Sequence, residues 1–239
     1  KYLGESLKKE KELSNLKNQF ITVTSHQLNT PLSVINWSLE TIKEPKVTKT
    51  EFEDGIKAID QSRRDILAMV TDLLTLSEIG FSYQKTKSEV ADLKELTKHV
   101  LDNYKSQLAV KNIEIVIESN TENTKADIGV LAMEKVITNL IDNAICYSNE
   151  KSKIKIEFSG NEDQLTFRII DYGIGIPTQD QTLIFKEFFR AKNATVKKNV
   201  GTGLGLFISK NIIDGHKGVI SFESEENKGS IFSFTIPRE

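Results

Sequence analysis

The stretch Ser25-His26-Gln27-Leu28-Asn29-Thr30-Pro31-Leu32 sets an imidazole inside a run that reads as helix. With an ordinary pKa near 6.5, that imidazole is mostly neutral at pH 7 and can act as a nucleophile. Two other clusters lie far along the chain: Asn139-Leu140-Ile141-Asp142-Asn143-Ala144, and Asp171-Tyr172-Gly173-Ile174-Gly175-Ile176-Pro177 with Gly201-Thr202-Gly203-Leu204-Gly205-Leu206. Asn139 and Asn143, four apart, share one helix face, and a carboxamide oxygen suits Mg²⁺, a hard ion that prefers oxygen. Asp171 ends a strand; its carboxylate can accept a hydrogen bond from the exocyclic amine of adenine, a donor guanine does not offer. Gly173 and Gly175 let the chain turn sharply and approach a ligand. The second glycine run precedes a helix whose free N–H groups can meet phosphate oxygens. It is not a Walker P-loop, because no Gly-Lys-Ser/Thr follows, and it lacks the G-x-G-x-x-G spacing of a Rossmann turn. Singly, each cluster has a plain alternative: a surface histidine, a helix asparagine, an acidic turn. Together they describe a phosphate acceptor and a nucleotide site.

The elements that must position these groups follow from periodicity. From Lys1 to about Glu44 apolar residues recur at helical intervals, including Leu3, Leu7, Leu13, Leu16 and Phe20. On a wheel of about 100° per residue, Gln19, Thr22, His26, Asn29, Ser33 and Asn36 form a polar stripe, and Ile21, Leu28, Leu32, Ile35, Leu39 and Ile42 gather opposite. Pro31 removes the backbone bond to the Gln27 carbonyl and is expected to bend the helix beside His26. Thr30 shares the face of His26. Glu44-Pro45-Lys46-Val47-Thr48 breaks the pattern, and a second helix runs from about Thr50 to Ile79. Two such helices make a hairpin whose apolar faces are best covered by a second copy, giving a dimeric four-helix bundle. Its early part reads as a coiled coil entering from an upstream domain.

Gly80 to Ser88 reads as a linker, so the expected domains are 1–83 and 84–239. Beyond it come a helix over Leu93–Lys111, a strand over Ile113–Glu118, and a helix over Leu131–Tyr147. A hairpin of Ile154–Phe158 and Leu165–Ile170 follows, then a helix over Leu204–Ile213 and strands at Val219–Glu223 and Ile231–Ile236. The fold class is α+β: a long helical hairpin followed by an α/β sandwich.

Composition narrows the setting. The 239 residues carry a formal net charge of −2, which gives no support for nucleic acid as a partner. A single cysteine, Cys146, excludes an internal disulfide and a thiolate metal cluster, and a cytoplasmic setting fits. The three histidines share no metal-ligand spacing. No apolar run approaches the roughly 18 residues of a membrane span, although a longer parent protein anchored in a membrane is compatible with the chain.

The histidine segment resembles the dimerisation and phosphoacceptor domain of sensor histidine kinases, whose motif is approximately S-H-E-L-R-T-P-L. Residues from about Asp92 to Pro237 resemble the ATP-binding domain, of Bergerat (GHKL) type, shared by those kinases, a heat-shock chaperone, type II topoisomerases and mismatch-repair ATPases. That stretch includes the aromatic block Ile184-Phe185-Lys186-Glu187-Phe188-Phe189-Arg190. The resemblance implies ATP and Mg²⁺ as cofactors, autophosphorylation of His26, transfer to an aspartate on the receiver domain of a response regulator, and a homodimer. Asn143 would hold Mg²⁺, Asp171 would read adenine, and Arg190 would face the γ-phosphate. Asn139, Tyr147, Gly173, Gly175, Ile176, Gly201, Thr202, Gly203, Leu204, Gly205, Leu206 and Ser230 would line the nucleotide. Residues 191–198 look like a mobile lid. Thr30 suggests a reverse, phosphatase reaction with a positioned water. Two departures stand out. Gln27 replaces an acid that takes the imidazole proton, and Cys146 replaces a lysine that contacts phosphate. They keep open a degenerate kinase acting as phosphatase or scaffold, and an ATPase without phosphotransfer.

Overall fold

A computed structural model describes residues 2–82, 88–197 and 201–238, with side chains described from residue 22 to 75 and from 88 onward within those ranges. The chain divides into two compact units, one built on the hairpin up to Leu74 and one on Thr75–Asn199 with Gly203–Glu239.

The hairpin consists of α1 (Tyr2–Lys43) and α2 (Lys49–Ser82). Pro31 sits inside α1 without ending it. Thr48 opens α2 with a capping box: its N–H and hydroxyl donate to Glu51 Oε2 at 2.8 and 2.7 Å, and Glu51 N–H returns to the Thr48 hydroxyl at 3.2 Å. These bonds hold the Glu51 carboxyl below the usual glutamate range. The seam between the helices is lined by small or slim residues at seven-residue spacing: Pro31 and Ser38 on α1, and Gly55, Ser62 and Met69 on α2, all buried. The wider apolar stripe is left open. Leu32, Leu39, Phe52, Ile56 and Leu74 are 46, 40, 45, 48 and 61% exposed, far more than a monomeric helix pair tolerates on its core side.

The second unit begins with β1 (Glu89–Asp92), α3 (Leu93–Asp102) and α4 (Lys105–Lys111). Next come β2 (Glu114–Ser119), β3 (Lys125–Ile128) and α5 (Val130–Tyr147). It continues with β4 (Lys153–Gly160), β5 (Gln164–Asp171) and α6 (Lys192–Lys197). It ends with α7 (Gly205–Gly215), β6 (Val219–Glu225) and β7 (Gly229–Pro237). One sheet has the order β2-β4-β5-β7-β6, with β2–β4 parallel and the other pairs antiparallel; β1 and β3 form a separate antiparallel pair. Alternation along the strands turns Ile154, Ile156, Phe158, Leu165, Phe167, Ile169, Phe232, Phe234 and Ile236 inward against Met133, Val136, Ile137, Leu140 and Ile141 of α5 and Ile208, Ile212 and Ile213 of α7. Phe158, Phe167 and Phe234 form a ring column with centroid spacings of 5.6 and 5.0 Å.

Several boundaries differ from expectation. The single helix expected over Leu93–Lys111 is two, broken at Asn103–Tyr104, because the break lets Tyr104 bury its ring and hydrogen-bond Asp142. Burial first, then the Asp142 carboxylate, pushes the Tyr104 phenol far above its ordinary value. α2 runs through Gly80 to Ser82, into the stretch expected as linker; the remainder of that stretch up to residue 87 lies outside the described residues. Strands β1 and β3 were not expected; four residues each are too short for a periodic signal.

Candidate nucleotide site and phosphoacceptor

Asp171 is the last residue of β5, and strand parity decides its fate. Leu165, Phe167 and Ile169 face the core, so Asp171, two further on, faces it as well and is only 6% exposed. Its Oδ1 accepts the Gly173 N–H at 2.9 Å, and the Ser230 N–H of the neighbouring β7 also points to the carboxyl. Burial dominates these bonds and pushes the carboxyl up to about 6. At pH 7 it is still mostly ionised, an acceptor held under the helix layer at the sheet's end.

The turn after Asp171 is fixed from all sides. Gly175 has φ +59°, and a Cβ there would stand 2.0 Å from the Glu225 carbonyl oxygen, so only glycine fits. The Ile176 N–H donates to Ser224 Oγ at 2.9 Å, and that oxygen also lies 2.9 Å from the Ser230 hydroxyl and donates to the Gly229 carbonyl. Tyr147, half-buried at the end of α5, accepts the Ile174 N–H at 3.2 Å, and Ser148 bridges Gly173. The asparagine-bearing helix and the glycine turn are thereby one assembly.

On α5 the two asparagines have separate roles. Asn139, expected beside the nucleotide, is 9% exposed, and its Nδ2 donates to the Gly205 carbonyl at 3.0 Å and reaches Ser209 Oγ at 3.3 Å. It ties α5 to the first turn of α7. Asn143, one turn further, is half-buried. Cys146 is a half-buried free thiol. Lys111 does not replace the missing cation there: its Nζ donates to the Ile145 and Cys146 carbonyls at 2.7 and 3.1 Å, capping the negative end of α5.

Of the second glycine run, Gly203, Leu204, Gly205 and Leu206 belong to this unit; Gly201 and Thr202 fall outside it. Gly203 has φ +69°, and a Cβ there would meet the Phe188 carbonyl carbon at 2.7 Å and the Phe189 oxygen at 2.8 Å. The aromatic block therefore backs directly onto the second glycine run. Phe188 itself takes a left-handed φ of 60°, unusual for a bulky residue. Phe185 is part of the core, edge-to-face on Phe222 at 5.9 Å. Leu204 is fully buried and precedes α7, so it contributes backbone rather than side chain. Arg190 is half-buried at the end of the block. The stretch expected as a lid contains α6 behind the buried Ala191. Ser224, Gln181, Asp180 and Asn193 were missed in the sequence because each is an ordinary polar residue whose partner is a distant backbone group.

In the hairpin, His26 is exposed within a stripe of exposed Thr22, Asn29, Ser33 and Asn36, as its wheel position requires. Gln27 and Thr30 are half-buried. The Thr30 hydroxyl lies 3.3 Å from the His26 carbonyl, a weak back-bond of the kind Ser and Thr make inside helices.

An α/β sandwich with an aspartate sunk at a strand end, an asparagine helix abutting it and glycine turns around both is the Bergerat nucleotide-binding architecture. Comparison with known proteins agrees. Residues 16–81 match the His Kinase A (phospho-acceptor) domain, and residues 129–239 match the Histidine kinase-, DNA gyrase B-, and HSP90-like ATPase family. The Sensor protein kinase WalK of Staphylococcus epidermidis is 29% identical over 233 residues, which are 96% of this chain and 38% of that protein. The solved catalytic domain of histidine kinase ThkA is 32% identical, with a TM-score of 0.56, covering 63% of this chain and 97% of that domain. ThkA solved in complex with the response regulator TrrA is 25% identical with a TM-score of 0.71, covering 96% of this chain and 64% of that one. The chain belongs to the histidine kinases. It spans well under half the length of the curated relative.

Proposed function

We infer that this chain transfers the γ-phosphoryl group of ATP to its own His26 and then passes it to an aspartate of a response regulator. Residues 1–83 serve as the dimerisation and phosphoacceptor part and residues 84–239 as the nucleotide-binding part. The observation that carries this reading is Asp171: an ionised acceptor sealed at the end of β5, framed by glycine turns, in a chain that also carries an exposed helical imidazole.

The residues present fit ATP with Mg²⁺. Asp171 accepts from the adenine amine. Gly203–Leu206 brings free N–H groups at the start of α7 to the phosphates. No cluster of three or more His, Cys, Asp or Glu able to hold a metal exists among the described residues. Asn143 would supply one oxygen to the ion and leave the rest of its shell to phosphate and water oxygens, a common arrangement for Mg²⁺ beside nucleotides. The ion, when bound, neutralises charge on the phosphates.

An imidazole nitrogen of His26 attacks the γ-phosphorus, the bond to the β,γ-bridging oxygen breaks, and ADP departs. Arg190 offsets charge on the transferring group. The imidazole proton leaves to water, because Gln27 can accept a hydrogen bond but cannot act as a base. The open apolar stripe of Leu32, Leu39, Phe52 and Ile56 is covered by a second copy. A receiver domain as the next acceptor is supported by the solved complex of the related ThkA with its response regulator. A phosphatase reaction undoes the modification at the same histidine: a water positioned by Thr30 attacks the phosphorus, the P–N bond breaks, and inorganic phosphate leaves with the imidazole regenerated. Incubation with γ-labelled ATP and Mg²⁺ should give acid-labile, base-stable label on the wild-type chain and none on His26→Ala. Equal label on both proteins would refute the reading.

A further inference from the structure

Between Asp180 and Asn193 the chain makes an excursion that ends where it began. Asp180, 7% exposed, accepts the Lys192 N–H on Oδ2 at 3.1 Å, closing a loop of twelve residues' separation. Asn193 then donates its Nδ2 to the Gly175 carbonyl at 2.9 Å and lies 3.5 Å from the Ile174 carbonyl. Its Oδ1 is buried with no protein partner, so the side chain is held in place by its donor end alone. At the loop's beginning Gln181 donates to the Ile176 and Ser224 carbonyls at 3.1 and 3.0 Å. The Asp180–Lys192 bond closes the neck of the loop, and the Asn193 and Gln181 bonds land on the glycine turn that follows Asp171 or on Ser224, the strand residue that supports it. Inside the loop lie the aromatic block and Arg190. Without the anchors, a segment of this length has many conformations, and few of them aim one guanidinium at one phosphoryl group.

We propose that Asp180 and Asn193 are positioning residues for phosphoryl transfer: Asp180 closes residues 181–192 into a loop, Asn193 fastens that loop to the Gly175 carbonyl, and the two together hold Arg190 in register with a nucleotide read by Asp171. This rests on the kinase reading above. Neither residue touches the nucleotide; both act through Arg190. The clasp also gives the site directionality, since the turn that senses the base and the loop that meets the γ-phosphate share the same hydrogen bonds.

The test is a set of rates, affinities and melting temperatures for the full chain. Label incorporation at saturating ATP-Mg²⁺, equilibrium ATP affinity and thermal unfolding are compared for wild type, Asp180→Ala, Asn193→Ala, Arg190→Ala and the double variants. The clasp predicts that Asp180→Ala and Asn193→Ala each lower the labelling rate about tenfold while ATP affinity changes by less than about threefold. In an Arg190→Ala background the same changes should have no further effect, because the residue they position is gone. Asp180→Asn, which keeps an acceptor oxygen, should recover most of the rate. If Asp180→Ala does not fold, Asn193→Ala decides alone, since it leaves the Asp180–Lys192 bond intact. Losses that multiply with that of Arg190→Ala, or that track ATP affinity and melting temperature together, would overturn the clasp. A wild-type chain that takes no label sinks the kinase reading, and the clasp with it. A wild type that labels beside clasp variants of equal rate sinks the clasp alone.

Discussion

Replacing Asp171 with Asn gives a measurement whose sign and pH dependence both follow from the structure. The carboxyl is held at about 6, against 3.8 for an ordinary aspartate, chiefly by burial. Between about pH 4 and 6 the folded chain therefore binds more protons at this position than the unfolded chain, and raising the pH through that window removes stability. The penalty amounts to about 1.5 kcal/mol at pH 5 and about 3 kcal/mol at pH 7, beyond which both states are ionised and it stays constant. Asn is nearly isosteric and carries no charge, so Asp171→Asn escapes this term. Its weaker bonds to the Gly173 and Ser230 N–H groups subtract an amount that does not vary with pH. The expected result is a nucleotide-free variant whose stability advantage over wild type grows by roughly 1.5 kcal/mol between pH 5 and 7 and then levels off. Calorimetry on the full chain, following the transition of the α/β unit, would register this as a relative gain of about 3–6 °C. A pH-independent difference, or one that shrinks as the pH rises, would refute the claim that Asp171 is buried as a carboxylate. The same variant bears on recognition. With its Oδ1 held by the Gly173 N–H, the side chain presents an NH₂ where wild type presents a second acceptor oxygen. Affinity for ATP should fall by more than about thirtyfold, and the preference of ATP over GTP should collapse.

Three other outcomes are expected. Gln27→Glu restores a group able to take the imidazole proton beside His26, and should raise the initial labelling rate by tenfold or more at pH 7.5, within the range of about 10²–10⁴ that general bases provide; an unchanged rate would show that proton removal is not limiting. Gly175→Ala forces a Cβ to within 2.0 Å of the Glu225 carbonyl at a left-handed φ, so it should destabilise the α/β unit by more than about 2 kcal/mol and abolish ATP binding, as read by denaturant melts and titration. Leu39→Glu puts a charge into the open apolar stripe of α1, 40% exposed in one copy, and should convert a dimer into monomers in sedimentation while leaving the α/β unit's ATP affinity unaltered.

What was readable in the sequence divides along the reach of the interactions involved. His26 could be placed in water because a helix repeats every 3.6 residues and its polar neighbours at 22, 29, 33 and 36 share its side; that geometry is local, and the exposed stripe agrees with it. The strand pairs β4–β5 and β6–β7 were likewise visible in alternation and turn residues. Asp171 is the instructive intermediate. Its position at a strand end was legible, but its burial depends on parity with Leu165, Phe167 and Ile169 and on helices far along the chain that cover that face. Asn139 shows where local reasoning stops. The four-residue spacing put it on the same face as Asn143, yet Asn139 is spent on a bond to α7, and the partner that decides it, Gly205, is 66 residues away. The clasp was invisible for the same reason. Asp180, Gln181 and Asn193 form no pattern, because what they bind are carbonyl and N–H groups that every residue possesses. Such side-chain-to-backbone bonds carry no signature in the partner's identity, so a positioning shell of this kind emerges only when the fold brings the turn, the loop and α6 together. It follows that substitutions in this shell should impair phosphoryl transfer while leaving every recognisable kinase motif untouched.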